Sequence, residues 1–234
     1  MKVARWATWG AAAGCAAVFA APFGYRIGIA PLGLAFLLLV GGLLLIAVSA
    51  GVLGARIARG AGLPDKAALA ALVVAVAVGV VPLRTLAWVW SAPPIHDITT
   101  DTENPPAFVA AVPLNTPGRT DYGGPALAEW QRAAYPDLRP ALLPVEPADA
   151  FGQALATVRR LGWELLAADP DTYRIEATDR SFWFGFDDDV VIRITTSGES
   201  GSRVDVRSLS RVGVGDLGAN ARRVREFLAV LAGE

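Results

Sequence analysis

The sequence predicts an α+β protein, with an N-terminal region of three transmembrane helices followed by a four-stranded antiparallel meander covered by two helices. Three observations carry that expectation. The 234-residue chain is 53% hydrophobic and only 18% charged, with a mean hydropathy of +0.42, which is too apolar for an ordinary soluble chain. The apolar residues concentrate in long charge-free runs before residue 91. After residue 147 the pattern changes to helical spacing and then to period-two alternation. The chain therefore divides into a membrane region (1–91), a proline-rich wrapping segment (92–146) and an α+β domain (147–234).

Charge follows the same division. Residues 1–91 hold seven Lys or Arg against one acid, Asp65, whereas 92–234 hold 14 Arg against 21 acids, so a formal total of −1 hides regions of +6 and −7. That split excludes a simple cytosolic enzyme, and a net-acidic domain argues against a nucleic-acid partner. The one cysteine, Cys15, lies in an apolar run. Intrachain disulfides, cysteine zinc clusters and an accessible thiol nucleophile are thereby excluded. With His96 the only histidine, a metal site would need mostly carboxylate ligands, and no cofactor is expected.

The three helices are expected at about 7–25, 28–55 and 67–90, each near the roughly 20 residues that a bilayer core requires. A tight turn around Pro22, Gly24 and Arg26 joins the first two, and a basic loop from Arg56 to Lys66 joins the second and third. Lys2, Arg5, Arg56, Arg59 and Lys66 fall on one side, against Arg26 and Arg84 on the other. Short basic loops resist translocation, so the N-terminus is expected in the cytoplasm of a bacterial cell and everything after Ser91 in the periplasm or outside. Trp6 and Trp9, and Trp88 and Trp90, suit the two interfacial belts. An alternative makes Lys2 to Ala21 a cleaved signal peptide, which leaves the domain on the same side. No Asp, Glu, Lys or His lies inside the spans, which disfavours transport. The small-residue pairs Gly10/Gly14 and Ala50/Gly54 suit close packing of the helices.

Between Pro93 and Pro147 lie 11 of the 16 prolines, a density that blocks long helices and central strands. Phe108, Tyr122, Trp130 and Tyr135 need covering, so the segment is expected to drape over the following domain, with a short helix from Pro125 to Ala134 turning Leu127, Trp130 and Ala134 to one side. From Pro147, Phe151, Leu155, Val158 and Leu161 mark an amphipathic helix stopped by Gly162. Strands follow at Trp163 to Ala168, Tyr173 to Thr178, Val190 to Thr196 and Arg203 to Ser210, with turns at 169–172, 187–189 and 197–202. Tyr173, Ile175, Ala177, Val190, Ile192, Ile194, Val204 and Val206 share the apolar face; Arg174, Glu176, Arg193, Asp205 and Arg207 take the other. Leu217, Val224, Phe227, Leu228 and Leu231 mark a closing helix capped by Asp216, with Arg222, Arg223 and Arg225 on its wet face.

The runs FGFDDDVVIRI (Phe184 to Ile194), GSRVDVRSLSRVG (Gly201 to Gly213) and DLGANARR (Asp216 to Arg223), with ITTDTENPPAF (Ile98 to Phe108) ahead of them, resemble the bacterial family called domain of unknown function 1499. The resemblance covers about residues 95–232. It implies an α+β domain, in similar members preceded by a few membrane helices, and it implies no activity. Many members carry a paired-cysteine motif near the start of the domain, which this chain lacks.

Four groups of residues stand as site candidates. Trp183, in the aromatic run Phe182 to Phe186, falls on the face opposite the phenylalanines, where it can stack on a ligand or pack with Trp163 and the wrapping segment. Arg174, Arg193, Arg207 and Arg211 line up across strands as an anion-binding patch, or else pair with Glu176 and Asp205 on a solvated sheet face. Asp187, Asp188 and Asp189 could gather a divalent cation or form a solvated turn. His96, beside Asp97, Asp101 and Glu103, would be the general base of a membrane-tethered hydrolase, although no nucleophile motif accompanies it. The leading expectation is a non-catalytic binding or scaffolding module in the cell envelope, with the lipid bilayer and an envelope protein, lipid or cell-wall component as partners.

Overall fold

The computed structural model describes residues 2–60, 66–89 and 92–233. It divides into two compact units, one of Met1–Trp90 with the loop Phe182–Gly185, the other of Ser91–Ser181 with Phe186–Glu234.

In the first unit, helices α1 (Lys2–Arg26), α2 (Leu32–Ala58) and α3 (Lys66–Val89) form from the three apolar runs. The turn between α1 and α2 lies just beyond its predicted place, at 27–31, with Gly28 at φ 73°. Arg5–Arg26 and Leu32–Ala58 are long and apolar enough to cross a membrane, whereas the apolar stretch described in α3, Ala68–Val80, is shorter. The loop residues 61–65, Trp90 and the side chains of Arg84 and Trp88 lie outside what the structure describes. Gly10 and Gly14 set the approach of α1 to α2: a Cβ on Gly14 would stand 2.7 Å from the Gly42 carbonyl oxygen, and one on Gly10 would stand 2.7 Å from Ser49 Oγ. Only glycine allows the two backbones so close.

The second unit is built on one antiparallel sheet. Its strands are β1 (Asp97–Thr99), β2 (Ala141–Leu143), β3 (Glu164–Asp169), β4 (Arg174–Arg180), β5 (Asp187–Ser197) and β6 (Gly201–Ser210). The order is β1-β6-β5-β4-β3, and β2 also pairs with β6. The predicted meander is thus present but enlarged from four strands to six. β1 pairs with the end of β6 (Asp97↔Leu209) and β2 with its beginning (Ala141↔Val204), so two three-residue strands share one edge. Segments that short show no period of two, which is why the sequence concealed them. The far side of β1 is closed by Gln131, whose side-chain amide accepts from Thr99 N (2.9 Å) and donates to Thr99 O (2.6 Å).

Helices α5 (Pro147–Arg160) and α6 (Ala219–Ala232) cover one face. Ala150, Ala154 and Val158 of α5 and Ala221, Val224 and Phe227 of α6 close on Ile175, Ile192, Val204 and Val206, and Trp163 stacks on Phe227 at 5.7 Å. Asp216 accepts from Gly218 N and Asn220 N, so it steadies the entry to α6, which starts at Ala219, two residues later than Leu217 suggested. Helix α4 (Gly124–Ala134) forms where a short helix was expected, but it buries Ala128 and Gln131, leaving Trp130 56% exposed.

Three further expectations are corrected. The joint at 187–189 is strand, because the β4–β5 ladder continues through Thr178↔Asp189, Asp179↔Asp188 and Arg180↔Asp187. The turn lies instead in the aromatic run, closed by Ser181 N to Phe186 O (2.8 Å) and by Phe186 N to Ser181 Oγ (2.8 Å), with Gly185 at φ 71°. The polar face is not wet either: Glu176, Asp189, Asp205 and Arg207 are all buried. Finally Arg223 lies under α6 rather than on its outer side, donating to Asp188 (2.7 Å) and Asp179 (2.8 Å).

Candidate functional site

Alternation along β4, β5 and β6 places Arg174, Glu176 and Thr178, then Asp189, Val191 and Arg193, then Arg203, Asp205, Arg207 and Leu209 on the sheet face away from the helices. The wrapping segment covers them. Its Phe108 and Ala111 pack on Val191 and Leu209, and the fully buried Glu176 carboxylate accepts from Val109 N and Ala111 N, each at 2.9 Å. A carboxylate that receives two backbone N–H groups keeps its charge satisfied without water.

Arg207 sits at the centre. Its Nε and Nη2 donate to the two oxygens of Asp97, both at 2.8 Å, and Nη1 and Nη2 donate to the carbonyls of Pro106 (3.0 Å) and Thr120 (2.8 Å). Phe108 and Tyr122 flank the guanidinium at 4.9 Å and 5.4 Å. Burial, and after it the Asp97 charge, push the Tyr122 hydroxyl up to about 12. Arg207, Phe108 and Tyr122 line an open cavity of about 410 Å³.

The other candidates are equally engaged. Arg174 pairs with Glu176 (3.3 Å) and Asp169 (3.7 Å). Arg193 donates to Asp101 and Asp205, which Arg203 also contacts. Arg211 grips Asp189 (2.7 Å and 2.9 Å), and Asn115 and Thr178 donate to the same carboxylate, each at 2.7 Å. Asp187 and Asp189 face Arg211 while Asp188 points to Arg223 on the opposite face, so the three carboxylates do not converge. Among the described residues no group of three or more His, Cys, Asp or Glu could hold a metal ion.

Residues 97–231 match the model of a family described as "Protein of unknown function (DUF1499)". The chain belongs to the DUF1499 family. No curated protein matches it.

Within the DUF1499 domain, the sequence missed the residues that bind the wrap to the sheet: Asp97, Asn115, Arg119, Gln131 and Arg203. The signal available was the pair of acids in ITTDTE ahead of the arginines that recur on the strands. His96 is half-buried, and its Nδ1 lies 3.3 Å from the Val214 carbonyl oxygen. Burial first, and the Arg119 charge second, hold its imidazole below the ordinary histidine value. Asp97 and Asp101, which a hydrolase would recruit, are held by Arg207 and by Arg193 with Arg203. Trp183 belongs to the helical unit, with its ring 5.7 Å from that of Phe19 and its buried indole N–H without a hydrogen-bond partner. Beside it Phe184 stacks on Phe36 at 5.4 Å.

Proposed function

We propose that this DUF1499 protein is a multi-pass protein of the bacterial inner membrane, with a cytoplasmic N-terminus and three crossings, that holds its α+β domain outside the cytoplasm for non-catalytic binding or scaffolding in the envelope. Two helices long and apolar enough to span a bilayer support the membrane placement, and the basic loops support the orientation. The observation that carries the non-catalytic reading is the pairing of Asp97 with Arg207: the acid adjoining His96 serves to fasten the wrap and does not orient an imidazole. Within this reading Arg207 beside its cavity is the foremost ligand candidate, ahead of Trp183, Arg174, Arg193 and Arg211, whose partners are described above. The expected ligand is an envelope lipid, protein or cell-wall component.

The test is a pair of fusions after Glu234, one reporter active only in the periplasm and one only in the cytoplasm. Periplasmic activity is expected. Cytoplasmic activity alone would overturn the orientation and redirect the ligand search to the cytosol.

A further inference from the structure

The arginines of the α+β domain differ in what they hold. Arg207, Arg211 and Arg223 each grip a buried carboxylate, so the charge beside the Arg207 cavity is already balanced by Asp97. A second open cleft, of about 330 Å³, is lined by three arginines from separate elements: Arg132 on α4, Arg139 in the link between α4 and β2, and Arg203 on β6. Pro136, Leu138 and Pro140 give this cleft apolar walls.

Among the described residues, the donors of these three arginines are only partly used. Arg203 places Nε on Asp205 and Nη2 on Asp101 and keeps Nη1 free. Arg132 donates through Nη1 to Thr102 Oγ1 at 2.9 Å, with Nε and Nη2 free. Arg139 is exposed and has no partner. The acids of the cleft do not neutralise them. Asp101 accepts from Glu103 N and Asn104 N on one oxygen and from Arg193 and Arg203 on the other, and Glu103 lines the cleft without an ion pair. Asp101, Glu103 and Asp205 set against Arg132, Arg139, Arg193 and Arg203 leave one positive charge.

The backbone that carries the free donors is held on all sides. Gln131 is bonded to both backbone groups of Thr99, which fixes α4 at Arg132. Tyr135 N donates to Gln131 O (2.7 Å), Leu138 N donates to Tyr135 O (3.2 Å), and Arg225 clamps Asp137. Arg139 stands between the buried Leu138 and Pro140. A frame set in advance limits the ordering that binding requires.

We propose that this cleft binds a phosphodiester monoanion, with its oxygens received by Arg132, Arg139 and Nη1 of Arg203 and its carbon substituents against Leu138 and the flanking prolines. Guanidinium forks match phosphoryl oxygens. One surplus positive charge matches one negative charge, and donors from three elements around an open cleft suit a tetrahedral group better than a planar carboxylate. The site is separate from the Arg207 cavity and does not depend on the domain's side of the membrane. A lipid headgroup and a soluble phosphodiester offer it the same chemistry.

The experiment is calorimetric titration of glycerophosphoglycerol into the full chain in dodecyl maltoside at low salt, with acetate as the planar comparator. Saturable binding is expected, weakened about tenfold by Arg139→Gln and by Arg132→Gln, and unchanged by Arg160→Gln at an exposed position of α5 outside the cleft. Arg139→Gln should melt at the temperature of the unaltered protein, because its side chain holds no partner, and this separates lost binding from lost folding. Absence of saturable heat, equal weakening by Arg160→Gln, or acetate binding as tightly as glycerophosphoglycerol would each overturn the proposal. In micelles doped with phosphatidylglycerol, loss of the glycerophosphoglycerol heat assigns the cleft to a lipid headgroup, and an unchanged heat assigns it to a soluble phosphodiester.

Discussion

The two faces of the sheet come from the same three strands, yet they are closed by different physics. Toward α5 and α6, Ile175, Ile192, Val204 and Val206 meet Val158, Val224 and Phe227, and burial of apolar area does the work. Toward the wrap, Glu176, Asp189, Asp205 and Arg207 are as deeply buried as those aliphatics, but each is satisfied by an ion pair or a backbone N–H. The apolar face accepts any partner of the right volume. The charged face accepts only a segment that brings a carboxylate at 97 and free N–H groups at 109 and 111.

That contrast is broken most severely by Phe227→Ala, which removes a fully buried ring stacked on Trp163 and should cost about 3–5 kcal/mol, read as a loss of Tm and of hydrogen-exchange protection across the whole domain. Asp97→Ala leaves Arg207 buried without its counter-charge and should cost about 3–5 kcal/mol. Its protection loss should centre on the wrap, residues 97–122. The double change Asp97→Leu with Arg207→Met should recover most of that loss, because no charge is stranded; failure to recover would mean that the pair acts through more than its charge. Glu176→Gln keeps one acceptor for two N–H donors and should cost about 1–3 kcal/mol, with faster proteolysis between Pro105 and Asn115 as the check. Arg203→Ala, at a side chain 39% exposed, should cost about 0.2–1 kcal/mol.

The smallest effect is a pH dependence. His96 has a lowered folded value, so its neutral form is favoured by the fold; the stability it contributes is present above about pH 6.5 and is lost as pH falls through the folded value. His96→Gln should therefore flatten the fall in Tm on acidification across that window, measured on the full chain in detergent.

What was legible in the sequence follows the same line. Ile175, Ile192 and Val206 declare a strand and its inner face by alternation, and Val158 and Phe227 declare the helices above them. The opposite face was legible in register but not in burial. Arg193 and Arg207 read as solvated because charged residues on a strand usually are, and nothing in a proline-rich run announces that Val109 N and Ala111 N will reach Glu176. The aromatic run misled for a related reason. Phe182 to Phe186 has the composition of a strand, but the three aspartates after it lie on β5 and find partners in Arg180 of β4, Arg211 after β6 and Arg223 of α6, so the turn moves back into the aromatics. In the membrane region, charge-free length placed α1 and α2, while the spacing of Gly10 and Gly14 foreshadowed their contact with Gly42 and Ser49.

The pairing of Asp97 with Arg207 spans 110 residues, and this has a consequence for biosynthesis. At a synthesis rate of about 5–20 residues per second, the opening segment waits on the order of 5–20 s for the strand that will receive it. Its prolines and acids suit that interval, since they keep the nascent stretch extended, hydrated and unable to pair with a neighbouring chain until β6 arrives.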